Sequence, residues 1–460
     1  MQPTLTKKIS SIFIDFSPHL IPNIYIMTCN SSIKIGFIGL NSRNTLAVRT
    51  HFQAIFQVSS LFEISAIYND NIEDSLDVID KLKLQNATAY PSLKEFVSIS
   101  SIDMVVVTSS GEPTYDNVIS VLDNIRDCNN EIRYIFFEWS LNFSVEQTEI
   151  IVHETRELGI QTVVSLQSRK SPYIIRAKEL IEDGSIGNIN SIEVAGNANW
   201  FGYERQQKSP EYLFDIKSRR DLVSYCFGHT IDALEYLTSS YFSTINSMIF
   251  NNIPEQTLVD EQGHSLGIKV PKNVPDHLLF QGKLIKGNVP VSCTIKGGKP
   301  TKKFTKNLVI DIHGTKGDLK IEGDAGFIEL SNLVLYHSGV KVDVAPDSPD
   351  SPTDGQVIYD NNEEVLEFFH FRNYNALIGN MAKMYQAIAN YDSIVSEDVL
   401  TPSAFALNTV QKRDRVSLMQ GFQMDGFPTL MDALVLYRLI ESVYRSNAIG
   451  STLNVSNISQ

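Results

Sequence analysis

Gly36-Phe37-Ile38-Gly39 closes the first β-branched run of the chain and precedes apolar residues at helical spacing, Val48, Phe52, Ile55 and Phe56. Glycine at a strand end lets the backbone approach a pyrophosphate, and the next helix offers N–H groups and the positive end of its dipole. The full dinucleotide fingerprint is incomplete, because Asn41, Ser42 and Arg43 follow. A strand-to-helix turn would use the same glycines on steric grounds alone. The second run ends in Ile67-Tyr68-Asn69-Asp70. An acidic residue there normally holds the adenosine ribose hydroxyls. Asn69 is the aligned residue; it can bond a ribose but does not repel a 2′-phosphate, so NAD and NADP both remain open. A solvated turn is the alternative use of Asn69-Asp70.

Trp139, Trp200 and Tyr203 suit a second kind of chemistry. Aromatics in a cleft give a docking partner large contact area at low entropic cost, although each could equally be core. Arg205, with Lys208, Lys217, Arg219 and Arg220 nearby, could meet a partner's carboxylates or form part of a solvated loop.

The elements that must position these residues divide the chain in two. From Ile33 to Leu166, apolar strand candidates alternate with amphipathic helices, which is the pattern of a parallel sheet covered on both faces. Right-handed crossovers make this a doubly wound, Rossmann-type domain over 33–170. A helix Ser171–Gly184 follows, starting on Ser-Pro and stopping on Gly. The period then changes to two, with strands predicted at Ile192–Gly196, Thr244–Ile249, His277–Ile285, Val289–Ile295, Asn307–His313, Leu319–Gly323 and Phe327–Leu335. Turns such as Gly314-Thr315-Lys316-Gly317 predict a large open, mainly antiparallel sheet in an α+β domain over 171–460. Residues 1–32 read as a poorly ordered extension. Residues 342–366 carry acids but no Lys or Arg and read as an acidic loop.

Composition narrows the classes. The 460 residues carry 39 basic and 53 acidic side chains, net −14, which argues against direct grip on nucleic acid. The apolar stretch 11–27 is broken by Asp15, His19 and two prolines, so it offers no membrane span. Cys29, Cys128, Cys226 and Cys293 are far apart and lack metal-ligand spacing, as in reduced thiols of an intracellular protein; no metal site is expected.

Several runs carry a resemblance. The strand-GFIGL-helix unit, Phe137-Glu138-Trp139, Arg169-Lys170-Ser171-Pro172 with AKELIEDGSIGNINSIE, and Gly228-His229-Thr230-Ile231-Asp232 resemble the superfamily of glucose–fructose oxidoreductase and inositol dehydrogenase. Within it, FGHTIDALEYLTSSYF and NLVIDIHGTKGDLKIEGDAGFIELSNLVLY resemble the galactose-regulon transcriptional repressors of budding yeasts. The resemblance implies a cofactor site using Gly36, Phe37, Ile38, Gly39, Tyr68, Asn69, Glu138, Trp139, Arg169 and His229.

The departures imply loss of catalysis. Enzymes of the superfamily carry a Lys where Trp139 stands and an Asp where Tyr225 stands. An indole cannot supply a proton, so bound NAD or NADP would not be turned over. The alternative reading of His229 is a helix-start histidine satisfied by backbone. By resemblance, the chain is a corepressor that masks the acidic activation domain of the regulon activator and is relieved by a galactokinase-like sensor. The resemblance also implies a homodimer and a nuclear and cytoplasmic location. Trp139, Trp200, Tyr203 and Arg205 are the expected partner contacts. An NAD(P)-dependent sugar oxidoreductase is the rival reading.

Overall fold

Strands that are apolar on both faces need cover on both sides, and the first half of the chain supplies it. The computed structural model describes residues 32–42, 47–99, 101–108, 115–128, 132–207, 209, 211–298, 306–344, 375–398 and 426–456. The N-terminal extension before Ser32 and the acidic loop beyond residue 344 lie outside the described residues. Strands β1 (Ile33–Ile38), β2 (Phe62–Tyr68), β3 (Thr88–Tyr90), β4 (Met104–Val107), β5 (Tyr134–Phe137) and β6 (Gln161–Val164) form one sheet, ordered β3-β2-β1-β4-β5-β6. Every pairing is parallel. This is the doubly wound order, with its switch point between β1 and β4. Its helices include α1 (Ile72–Leu82), α2 (Leu93–Ile99), α3 (Tyr115–Cys128) and α4 (Val145–Glu157). A capping box starts α4, with Ser144 Oγ accepting from Gln147 N and the Gln147 side chain answering Ser144 N.

The helix expected from the spacing of Val48, Phe52, Ile55 and Phe56 is interrupted. Val48–Phe52 is a π-helical turn followed by a short α-helix, Gln53–Gln57, and the wider turn carries Arg49, Thr50 and His51 inward.

Helix α5 (Pro172–Glu182) leads into the second layer. Its sheet has nine strands: β7 (Ile189–Ala198), β9 (Phe242–Phe250), β12 (His277–Leu284), β13 (Pro290–Gly297), β14 (Leu308–Gly314), β15 (Asp318–Gly323), β16 (Leu333–His337), β17 (Val340–Lys341) and β18 (Leu453–Asn454). The order is β17-β16-β15-β14-β7-β13-β12-β9-β18. Only β7 and β13 run parallel; the other pairings are antiparallel. Helix α6 (Gly228–Thr238) is buried along its whole length. A small second sheet, β11-β10-β8, joins β8 (Glu204–Gln206), β10 (Glu255–Val259) and β11 (Ser265–Pro271).

Two expectations need correction. The strand predicted over Phe327–Leu335 splits into a 3-10 turn, Ile328–Leu330, and β16. Ser331 Oγ closes that turn by donating to the Ala325 and Phe327 carbonyls. The boundary at residue 170 also leaves the first domain incomplete. Helices α7 (Asn375–Asp398) and α8 (Leu430–Ile449) return to it from the chain end. Met381, Met384, Tyr385, Ile388 and Phe427 share one core with Ile35, Phe37, Met104 and Phe136 of the parallel sheet. Val164 N donates to Pro428 O at 2.9 Å, and Leu430 N donates to Thr162 Oγ1 at 3.0 Å.

Candidate functional site

Gly39 ends β1 at φ +86°, a conformation that favours glycine, and its N–H is donated to Tyr68 O at 3.0 Å. It therefore ties β1 to β2 at the switch point while presenting no side chain there. Thr108 answers from β4, its N–H and its hydroxyl both donating to Ile38 O at 3.0 Å. This backbone bend fits a bound dinucleotide. Gly36 has another role: a Cβ there would lie 2.6 Å from Phe96 and 2.8 Å from Ile102. It makes room for α2 under the sheet, and Phe37 and Ile38 are buried beside it. Gly36 thus answers to packing inside the strand and not to a turn.

Asn69 is turned inward. Its amide donates to Leu40 O and Ser75 Oγ, both at 2.9 Å, and its carbonyl accepts from Asn41 at 3.3 Å. Its amide hydrogens already have partners within the protein, which corrects its assignment as a ribose donor. Tyr68 is partly exposed, with its hydroxyl directed to Asp70 at 3.4 Å.

Arg169 is also spent. The guanidinium, 3% exposed, spans Asp232 (Nε at 3.0 and 3.2 Å, Nη2 at 2.5 Å) and Asp432 (Nη1 at 3.0 Å). Burial opposes its charge, but the two carboxylates outweigh that and hold the pKa well above the ordinary range. Asp432 also caps α8 through the backbone and hydroxyl of Thr429. Arg169 thus clamps α6 and α8 to the end of the first domain and does not reach a cofactor.

Trp139 is 2% exposed, so it cannot receive a partner side chain. Its indole stacks on Tyr437 with ring centres 4.6 Å apart, and Nε1 donates to Ser224 O at 3.2 Å. The space beside it is closed as well, since a Cβ on Gly228 would sit 3.1 Å from the ring. Where a Lys would serve chemistry, the indole serves packing. Glu138 is buried next to it.

His229 is fully buried on α6. Its Nε2 and Glu329 Oε2 approach to 2.9 Å without an aligned hydrogen bond, while Gln167 Nε2 donates to Glu329 Oε1 at 2.6 Å. Tyr225 faces the His229 ring edge-on at 5.0 Å. Burial, then the carboxylates of Glu329 and Glu138, pushes its phenol well above the ordinary value.

Trp200 and Tyr203 remain at the surface. Both sit on the segment between β7 and β8, and Tyr203 is 70% exposed. Glycines let this segment lie backbone-to-backbone on the end of β13: a Cβ on Gly202 would strike Gly298, and one on Gly297 would strike the Phe201 carbonyl. The buried Gln256 pins it from below, donating to the carbonyls of Trp200 (3.0 Å) and Gly202 (2.8 Å). Trp200 packs edge-on against Phe327 at 5.4 Å and lies tilted to Tyr225 at 6.4 Å. Arg205 does not join them. It is 8% exposed, with its guanidinium 4.3 Å from the centre of the Phe214 ring, and burial lowers its pKa. Its partner role is corrected to packing.

Among the described residues no cluster of metal-ligating side chains occurs, and no helix is long and apolar enough to cross a membrane.

Residues 172–323 match the family described as the C-terminal domain of Gal80p. Over 429 residues the chain is 56% identical to the galactose/lactose metabolism regulatory protein GAL80 of Saccharomyces cerevisiae, covering 93% of this chain and 95% of that protein. The chain belongs to the Gal80 family. The crystal structure of the transcriptional regulator Gal80p from Kluyveromyces lactis superposes with a TM-score of 0.76 at 44% identity, covering 94% of this chain and 96% of that one. Levoglucosan dehydrogenase in complex with NADH and L-sorbose shares the fold, with a TM-score of 0.64 at 16% identity over 93% of this chain and all of that one. The Gal80 family thus shares the fold of an oxidoreductase, and in this member position 139 holds a buried indole and position 225 a partly buried phenol.

Proposed function

We propose that this chain represses galactose-metabolism genes by binding the acidic activation domain of the regulon's transcriptional activator, through the surface that Trp200 and Tyr203 present. Membership of the Gal80 family supports repression in place of catalysis. The observation that carries the docking surface is the exposed Tyr203 on a segment held rigid by Gly202, Gly297 and Gln256. A rigid aromatic loses little entropy on binding, and an acidic amphipathic segment offers it bulky apolar anchors. Dinucleotide is bound at Gly39 and not turned over, and a galactokinase-like sensor relieves repression. The protein acts in nucleus and cytoplasm.

Fluorescence anisotropy with a labelled acidic peptide containing Phe, Leu and Trp tests the surface. Tyr203→Ala should weaken binding by about tenfold, equivalent to ~1.4 kcal/mol, with an unchanged urea midpoint. Equal affinity of variant and parent would remove Tyr203 from the interface.

A homodimer through the nine-stranded sheet belongs to the same proposal. Strand β14 does not supply an apolar outer face for it: Leu308, Ile310 and Ile312 are buried, and between them lie Val309, Asp311 and His313. Exposed apolar side chains include Met248 and Leu279, directly paired across β9 and β12, with Phe250 beside them. Met248→Glu should shift light-scattering mass from twice the monomer toward the monomer. A parent that is already monomeric at micromolar concentration would refute dimerisation.

A further inference from the structure

We infer that the cavity between α8 and the loop 216–224 binds a small phosphate monoester with an apolar or aromatic body. It has a volume of about 1030 Å³ and is lined by that loop, by α8 and by Asn454 and Val455 at β18. Among the described residues none from β1, β2 or β4 lines it, so the cavity is separate from the Gly39 bend. Its wall is apolar and aromatic: Tyr437, Ile440 and Val455 are buried, and Ile216 is 37% exposed. A wall of this kind takes up the body of a ligand, and a few convergent polar groups orient it.

The polar groups are chiefly guanidiniums. Arg219, Arg438 and Arg445 line the cavity, a local reversal of charge on a chain of net −14. Of the two carboxylates in the lining, Asp221 is 1% exposed and accepts from Val223 N at 2.8 Å, Ser224 Oγ at 3.0 Å and the Tyr444 hydroxyl at 2.6 Å. The other, Glu441, lies 3.6 Å from Arg219. Burial, then Asp221, pushes the Tyr444 phenol well above its ordinary value, so it stays neutral toward an anion. Arg438 donates to Glu149 at 2.8 Å and Arg219 to Phe143 O at 3.2 Å, whereas the exposed Arg445 forms no ion pair with a described residue. Arg219 stands at φ +53°, uncommon for a residue with a side chain, and Ser140 Oγ donates to its carbonyl at 3.1 Å. Backbone strain of this kind gathers at ligand sites. A phosphate monoester brings about −1.5 to −2 charge and three acceptor oxygens, enough to engage more than one guanidinium fork.

Isothermal calorimetry on the full chain with phenyl phosphate, inorganic phosphate and benzoate at about 0.15 M salt provides the test. Phenyl phosphate should bind saturably, and each of the other two about tenfold more weakly. Arg445→Ala and Ile216→Glu, both at exposed positions and with urea midpoints like the parent's, should each weaken phenyl phosphate by about tenfold. Saturating NAD+ should leave its affinity unchanged. No saturable binding up to about 10 mM would overturn the inference, and so would an unchanged affinity in either variant. Competition by NAD+ would move the phosphate to the dinucleotide site. Benzoate binding as tightly as phenyl phosphate would overturn the choice of phosphate, and inorganic phosphate doing so would remove the apolar wall from recognition.

Discussion

Arg169→Met is expected to cost about 3–5 kcal/mol of stability, because it leaves two buried carboxylates without their cation. Asp232 and Asp432 are 2% and 8% exposed, and Glu235, one helical turn from Asp232, is 3% exposed. Burial, then its two acidic neighbours, already pushes the Glu235 carboxyl well above its ordinary value. Removing the guanidinium deprives all three of the charge that offsets their desolvation. Met retains most of the volume, so a cavity contributes little. Urea denaturation monitored by far-UV circular dichroism reads the loss. Adding Asp232→Asn and Asp432→Asn to Arg169→Met should recover part of it, since neutral amides are cheaper to bury than unpaired charges. A shift below ~1 kcal/mol for Arg169→Met, the range of an exposed ion pair, would mean that the clamp is not under strain of desolvation.

Mild acid should destabilise the protein through His51. The ring is fully buried, with Nδ1 2.8 Å from the Tyr385 hydroxyl and the rings of Phe37 and Phe136 edge-on to it. Burial lowers its pKa from 6.5 to about 3. The folded state therefore refuses a proton that the unfolded chain accepts below pH 6.5. Above that value His51 adds no pH dependence, and below it stability falls until the folded ring titrates near pH 3. Between pH 7.5 and 4.5 the loss is about 2.5 kcal/mol, rising to roughly 4–5 kcal/mol by pH 3. His51→Phe keeps the aromatic packing and removes this part of the slope. It leaves the Tyr385 hydroxyl unpaired, so the variant should be less stable at neutral pH by ~1–3 kcal/mol and should approach or pass the parent as pH falls. Parallel stability curves for the two proteins would show that His51 does not titrate on unfolding.

The parallel sheet was legible because each of its longer strands is a continuous apolar run between amphipathic helices, and burial on both faces leaves no other composition workable. The strand β3 and the small sheet β11-β10-β8 were not, since β3, β8 and β10 are three to five residues long and β11 is almost wholly exposed. Gly39 was readable as a switch-point glycine. The role of Gly36 depends on Phe96, sixty residues away in sequence, which no local spacing reveals. Trp139 and Arg205 illustrate the same limit. A side chain able to contact a partner is equally able to pack, and Tyr437 and Phe214 decide the matter from distant segments. The pairing of Arg169 with Asp232 and Asp432 spans 63 and 263 residues. A signal was nonetheless present at Thr429-Leu430-Met431-Asp432, whose spacing is that of a capped helix start.

The return of the chain end to the parallel sheet has a consequence for synthesis. The strands of the parallel sheet leave the ribosome first, yet Tyr385, Phe427 and the start of α8 cover them only after a further 221 to 266 residues beyond Val164 have been added. At elongation rates of ~5–20 residues per second, that is an interval of roughly ten to fifty seconds. Through it, Phe37, Met104 and Phe136 would face water on the nascent chain, in need of a chaperone's shelter. The sheet that carries the Gly39 bend would take its final form only once translation is nearly complete, so this half of the molecule is among the first made and the last finished.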